Sequence, residues 1–187
     1  MASGEGKRFG RNKLLAELQG KTLIQRILDT TEDFLENRVV VTRSPEVKAL
    51  CEKQNVPVIM HSLPYRNDTI RLGMERIEAV KGMEACIFCP ADQPLLRKES
   101  LENLQKSFEK QKKGIHRLVF EDREGTPILF GKEYFEELKN LPLKCGGSYL
   151  VKKYPGQIEK VSVISEEELM DVDTPEELET LKFYVRS

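Results

Sequence analysis

The residues best suited to chemistry open the chain, in MASGEGKRFGRNK from Met1 to Lys13. Gly4, Gly6 and Gly10 alternate there with the cations Lys7, Arg8, Arg11 and Lys13. Glycine lets the backbone approach a ligand closely, and successive backbone N–H groups turned into one concavity attract an anion. Arginine adds a planar fork that matches phosphate oxygens. The pattern predicts a loop that holds a triphosphate, with a frayed basic chain end as the alternative on composition alone. Three carboxylates in two stretches downstream suit the same task. Asp92 stands in Pro90-Ala91-Asp92-Gln93-Pro94, and Asp171 and Asp173 stand two residues apart in Asp171-Val172-Asp173-Thr174-Pro175. Mg²⁺ characteristically takes one or two carboxylates plus phosphate oxygens, so Asp92 with Asp171 or Asp173 is a candidate metal set. The competing readings are a turn between prolines for Asp92 and turn or cap chemistry for Asp171 and Asp173.

Other chemistries are poorly supplied. His61 and His116 have no ligand-like spacing. Cys86 and Cys89 form a C-x-x-C inside the apolar run ACIFC, where strand alternation sends residues three apart to opposite faces. Buried thiols in a reducing cytosol are the expectation. A Walker loop requires G-x-x-x-x-G-K-[ST], which is absent, and the spacing of Gly4, Gly6 and Gly10 misses the dinucleotide fingerprint by one residue.

The elements that must position these groups follow from hydropathy. The chain has 187 residues, 39% hydrophobic and 33% charged, which suits one soluble domain over residues 1–187. Its formal net charge of -1 gives no global field for nucleic acid. No apolar run is long enough to span a bilayer, and no secretory signal is visible, so a cytoplasmic protein without nucleic-acid or membrane partners is expected. Helices are predicted at Thr22 to Leu35, after Ser44, after Asn67 or Asp68 as cap, and near Glu99 to Lys110. Shorter helices are predicted at Tyr134 to Leu138 and Tyr149 to Lys153. Strands are predicted at Arg38 to Thr42, Val56 to Met60, Ala85 to Cys89, Ile115 to Phe120, Pro127 to Phe130 and Ile158 to Ile164. Thr174, Pro175 and Glu177 spell a capping box for a last helix. This alternation predicts an α/β fold with a mostly parallel central sheet, whose ligands gather at the carboxyl ends of the strands.

At this point the residues resemble a known family. Ser3-Gly4-Glu5-Gly6-Lys7-Arg8-Phe9-Gly10-Arg11-Asn12-Lys13-Leu14-Leu15 is similar to the signature of Rossmann-like nucleotidyltransferases, the group that includes molybdopterin nucleotidyltransferases. Ala91-Asp92-Gln93-Pro94 resembles the metal-site motif of its molybdenum cofactor cytidylyltransferase branch, where the guanylyltransferase branch more often has G-D-M-P. Gly125-Thr126-Pro127-Ile128-Leu129-Phe130 and Asp171 to Leu178 resemble two further segments of that family.

The resemblance implies a three-layer nucleotidyltransferase fold and transfer of CMP from CTP to the terminal phosphate of a molybdopterin-type cofactor, with release of pyrophosphate. It implies Arg8 and Lys13 as catalytic cations on the triphosphate, with Ser3, Gly4 and Gly6 beside them in the nucleotide site. It implies Mg²⁺ on Asp92 with Asp171 or Asp173, and a molybdenum enzyme that receives the product. GTP, a sugar-phosphate acceptor, or a non-catalytic nucleotide-binding domain remain alternatives. Two departures stand out. Leu143-Lys144-Cys145-Gly146-Gly147-Ser148 replaces the family's G-D-x-G-x-R. Met1 to Ser3 are also too few for a strand of typical length, about five or six residues. The first strand is therefore largely missing, and a gap is expected beside Arg38 to Thr42 unless a longer natural chain supplies it.

Overall fold

In a computed structural model the described residues are Ala2, Phe9, Gly10 and residues 12–184. A two-residue hairpin, β1 (Glu17–Leu18) and β2 (Lys21–Thr22), leads into α1 (Leu23–Thr31). Thr22 caps α1 through a full capping box with Gln25, and Leu23, Ile24, Ile27 and Leu28 form its buried face. The helix is shorter than its apolar periodicity suggests, because residues 32–37 leave the helical path as a turn. β3 (Val40–Thr42) and β4 (Val58–Met60) pair in parallel across α2 (Pro45–Lys53), which Ser44 caps as expected.

α3 (Arg66–Glu78) begins earlier than its sequence signal suggests. Asp68 is its third helical residue, not its cap, and accepts the Tyr65 backbone N–H. Asn67 instead reaches across the fold, where its Oδ1 accepts the Lys144 N–H at 2.9 Å. The stretch that departs from the family pattern is thus docked on the start of α3.

The remaining strands are β5 (Ala85–Phe88), β6 (Ile115–Phe120), β7 (Arg123–Gly131) and β8 (Ile158–Ser162). They form one sheet in the order β5-β7-β6-β8. β7 runs antiparallel to β5 and β6, while β8 is parallel to β6. Three of the four strands therefore share a direction, and only β7, returning through the turn after Phe120, opposes them. It is longer than the apolar PILF segment because ladder pairing reaches back to Arg123. α4 (Lys98–Gln111) lies over β6 and β7, α5 (Phe135–Lys139) packs on α3, and α6 (Ser148–Lys153) and α7 (Pro175–Tyr184) complete the layers.

The expected gap is present among the described residues. β3 is paired on one side by β4, and β5 by β7. Between them, Ala2 makes a single parallel bridge to Thr42. The Ala2 N–H donates to the Val41 carbonyl at 3.1 Å, and the buried Thr42 hydroxyl donates to the Ala2 carbonyl at 2.9 Å. A cavity of about 500 Å³ opens there, with Val41, Ile70, Met74, Ile87 and Phe108 among its lining residues.

The Gly146–Gly147 pair serves packing. A Cβ on Gly147 would lie 3.1 Å from the Phe130 ring and 3.2 Å from Phe88, and those two rings already pack at 5.1 Å between centroids. Gly147 has ordinary helical torsions, so the constraint is steric. Gly147→Ala is expected to lower stability by about 1–3 kcal/mol through overpacking, read as a lower urea midpoint with unchanged m-value.

Candidate active site

Lys13 is positioned by its backbone. It starts a 3₁₀ turn, Lys13–Leu15, whose cap is the Asn12 side chain accepting the Leu14 N–H at 3.1 Å. Leu14 is buried in one apolar cluster, and Phe9 and Ala16, on either side of the turn, are buried in another with Leu18, Leu23, Val172 and Leu181. The turn is thus riveted to two cores, and the Lys13 side chain leaves it nearly buried, 11% exposed.

Its ammonium donates to Asp92 Oδ2 at 2.7 Å and to Asp173 Oδ1 at 2.6 Å. Those carboxylates are 24% and 35% exposed. Partial desolvation strengthens such charge-assisted bonds relative to a surface ion pair. Burial alone pulls the Lys13 pKa down, but the hydrogen bonds to Asp173 and Asp92 together with the charges of those carboxylates outweigh it and raise the pKa above the usual lysine value. Lys13 is charged at neutral pH. The backbone fixes the two carboxylates relative to each other, since the Val172 N–H donates to the Asp92 carbonyl at 2.9 Å.

Asp171 takes a different position. Burial of its carboxyl group among neighbouring protein atoms and the nearby Asp92 charge push its pKa up to about 6, against the opposing influence of a hydrogen bond with Gln93 and of Lys13. The residue still presents considerable surface to solvent. The two aspartates that the sequence left interchangeable are therefore distinct: Asp173 joins Asp92 on Lys13, whereas Asp171 lies beside Gln93.

Gln93 is a structural centre that the sequence motif contained without revealing its role. It is 1% exposed, and its Nε2 donates to Thr126 Oγ1 at 2.8 Å and to the Leu169 carbonyl at 3.4 Å. One amide thus ties the Asp92 loop to β7 and to the segment that carries Asp171 and Asp173. Glu168, also 1% exposed, braces that segment from behind. It accepts the Ser100 hydroxyl at 2.5 Å and the backbone N–H groups of Arg97 and Ile164 at 3.2 Å, and it sits at the positive end of α4. A buried glutamate amid an acidic run, Glu166-Glu167-Glu168, carries no sequence signal that separates it from its solvated neighbours.

Ser3, Gly4, Gly6 and Arg8 lie outside the described residues. Thr174 and Glu177 form the expected capping box, the Thr174 Oγ1 accepting the Glu177 N–H at 3.2 Å and Glu177 accepting the Thr174 N–H at 2.9 Å. Glu177 also accepts the Asp173 N–H at 2.6 Å, so the cap fixes the backbone of Asp173 and leaves its carboxylate to face Lys13. Burial pushes the Cys51 and Cys89 thiols up to about 11, which makes them poor nucleophiles. Among the described residues no helix is long and apolar enough to cross a membrane.

No group of three or more His, Cys, Asp or Glu side chains among the described residues is arranged to hold a metal ion. The donor set nevertheless fits a hard divalent cation that shares its coordination with phosphate. Two carboxylates already converge on one cation, the Lys13 ammonium, and Mg²⁺ commonly uses only one or two protein carboxylates.

This architecture is that of nucleotidyltransferases. The solved nucleotidyl transferase of Methanothermobacter thermautotroptrophicus matches with a TM-score of 0.79 at 17% identity, covering 99% of this chain and 95% of that one. The Rv0371c protein of Mycobacterium tuberculosis H37Rv matches with a TM-score of 0.84 at 20% identity, covering 97% and 95%. It has also been solved as a manganese complex, which matches with a TM-score of 0.76 at 17% identity, covering 97% and 94%. Residues 1–158 match the MobA-like NTP transferase domain, and the chain belongs to that family. A curated relative, the probable molybdenum cofactor guanylyltransferase of Bacillus cytotoxicus, is 32% identical over 98 residues, 50% of this chain and 47% of that protein. The chain spans about half the length of the curated relatives it matches.

The raised pKa of Asp171 fixes a sign for pH dependence. The folded state binds this proton more tightly than the unfolded chain, so the Asp171 contribution is most favourable below the ordinary aspartate pKa and is lost as pH rises through about 6. Asp171→Asn is therefore expected to raise the melting temperature relative to the parent more at pH 8 than at pH 4.5, as checked by paired thermal melts.

Proposed function

We propose that this protein transfers a nucleotidyl group, CMP from CTP in the first instance, to the terminal phosphate of a molybdopterin-type acceptor, with release of pyrophosphate. The observation that carries this reading is the convergence of Lys13, Asp92 and Asp173, from three distant parts of the chain, on one polar point. Family membership supports nucleotidyl transfer, and the Ala91-Asp92-Gln93-Pro94 motif supports CTP.

The reaction needs little side-chain chemistry. An oxygen of the acceptor phosphate, already an anion, attacks the α-phosphorus of the nucleotide. The bond from that phosphorus to the bridging oxygen breaks, and the electron pair leaves with pyrophosphate. No Ser, Cys or His is needed to create the nucleophile. The protein's task is to neutralise two anions, align them and stabilise charge on the leaving group. Arg8 and Lys13 do this with their cations, and backbone N–H groups near Ser3, Gly4 and Gly6 assist. Asp92 and Asp173 would hold a divalent ion, Mg²⁺ or the Mn²⁺ recorded with the mycobacterial structural relative, which would supply charge neutralisation at the phosphate oxygens. Asp171, beside Asp92 and carrying a raised pKa, limits the negative charge packed around that position at mildly acidic pH. A molybdenum enzyme is the expected recipient of the product.

A second reading has a specific observation behind it: a curated relative is named a guanylyltransferase, which favours GTP. Pyrophosphate release measured with each nucleoside triphosphate, Mg²⁺ and the molybdopterin-type acceptor separates the two. Preference for CTP supports the first reading, and a strong preference for GTP replaces it with the second. Tight triphosphate binding without pyrophosphate release, with the pterin or a sugar phosphate as acceptor, would instead indicate a non-catalytic nucleotide-binding domain. Lys13→Met or Arg8→Ala is expected to lower the transfer rate by about 10²–10³-fold, the cost of losing one preorganised group on the developing charge.

A further inference from the structure

The Lys13 ammonium stands where two carboxylates converge, 2.7 Å from Asp92 and 2.6 Å from Asp173. We infer that Lys13 acts as an internal stand-in for the divalent ion, blocking metal binding until a triphosphate draws the lysine away, so that metal and nucleotide enter together. This rests on the reading above that Asp92 and Asp173 hold the metal.

Three features support it. The first is exclusivity. A divalent ion bound at about 2.0–2.1 Å from carboxylate oxygens competes for the same Oδ2 of Asp92 and Oδ1 of Asp173 that receive the ammonium protons. Two cations drawn to those oxygens also repel each other in a half-desolvated setting.

The second feature is anchorage. Lys13 begins a capped 3₁₀ turn beside two buried clusters, so its backbone is held and only its flexible four-carbon stem is free to redirect the charge. Asp92 and Asp173 are likewise held, by the Val172 N–H on the Asp92 carbonyl and by Glu177 on the Asp173 N–H. The carboxylates therefore keep their spacing whichever cation they hold.

The third feature is compensation. A triphosphate offers the ammonium new acceptor oxygens as it leaves the carboxylates, and the carboxylates receive a divalent charge in exchange. Neither anion is left without a cation at any stage. A metal arriving alone would displace Lys13 with no anion to receive it. By thermodynamic linkage, the triphosphate that takes Lys13 raises metal affinity, and the metal raises triphosphate affinity by the same factor.

The arrangement has a practical consequence for the site. Without nucleotide, a metal-filled carboxylate pair is suppressed, and the carboxylates stay neutralised by the protein itself. Loss of Lys13 then has two opposite effects: weaker transfer and tighter nucleotide-free metal binding. A lysine that acted on phosphate alone would show only the first.

The test is Mn²⁺ binding without nucleotide, followed by electron paramagnetic resonance of the free ion, on the parent protein, Lys13→Gln and Lys13→Met. Circular dichroism verifies folding of each variant, and the two chemically different replacements guard against one that misfolds. The expected result is at least a tenfold gain in Mn²⁺ affinity for either folded variant. The gain should vanish in the double variant Lys13→Gln/Asp92→Asn, which shows that it arises at these carboxylates. Equal or weaker Mn²⁺ binding by the folded Lys13 variants overturns the inference, as does a gain that survives Asp92→Asn. Because no nucleotide or acceptor is present, the outcome is independent of the transfer assay. A Mn²⁺ gain with no pyrophosphate release in that assay sinks the transferase reading and leaves the stand-in role intact.

Discussion

A single ammonium group binds positions 79 and 160 residues further along the chain. Lys13 draws Asp92 and Asp173 to within hydrogen-bonding distance, and the elements that carry them are arranged so that this meeting is possible. Two carboxylates so close together repel each other, and taking them partly out of water adds a desolvation cost. The lysine offsets both. Asp171, near Asp92 but not itself on Lys13, has its proton affinity raised first by burial of its carboxyl group and then by the Asp92 charge.

The scaffold behind this point is polar as well as apolar. Gln93, fully enclosed, joins the Asp92 loop to Thr126 on β7 and to Leu169. Glu168, equally enclosed, fastens the following segment to the start of α4 through Ser100 and Arg97. Their bonds run between segments that carry the site, so their geometry sets the positions of Asp92, Asp171 and Asp173. The apolar clusters do the same for Lys13, since Phe9, Leu14 and Ala16 hold its turn on both sides. Positioning of charge is what a reaction between two phosphate anions demands of a protein.

The sheet shows how strand order decides a cavity. β3 with β4 forms one sheet and β5 with β7, β6 and β8 another, and among the described residues Ala2 bridges the free side of β3 at Thr42. The apolar side chains that face this interval, Ile70, Met74 and Phe108 among them, are those of an ordinary core. The insertion of β7 between β5 and β6 was not foreseeable from hydropathy, because an apolar strand reads the same in either direction.

The amino-acid sequence by itself determined the α/β class, the order and approximate extent of its main elements, the Ser44 and Thr174 caps, and the identity of Lys13, Asp92 and Asp173 as residues worth watching. These follow from local physics: periodicity, capping chemistry and the scarcity of other reactive groups. Only the tertiary structure decided which carboxylates meet. It separated Asp173 from Asp171, turned Gln93 and Glu168 from unremarkable polar residues into buried ties, moved Asp68 from cap to first turn, and gave Asn67 a partner in Lys144. The reason is that hydrogen bonds and charge pairs between distant segments depend on strand order and side-chain direction, which a linear pattern of residue types does not encode locally.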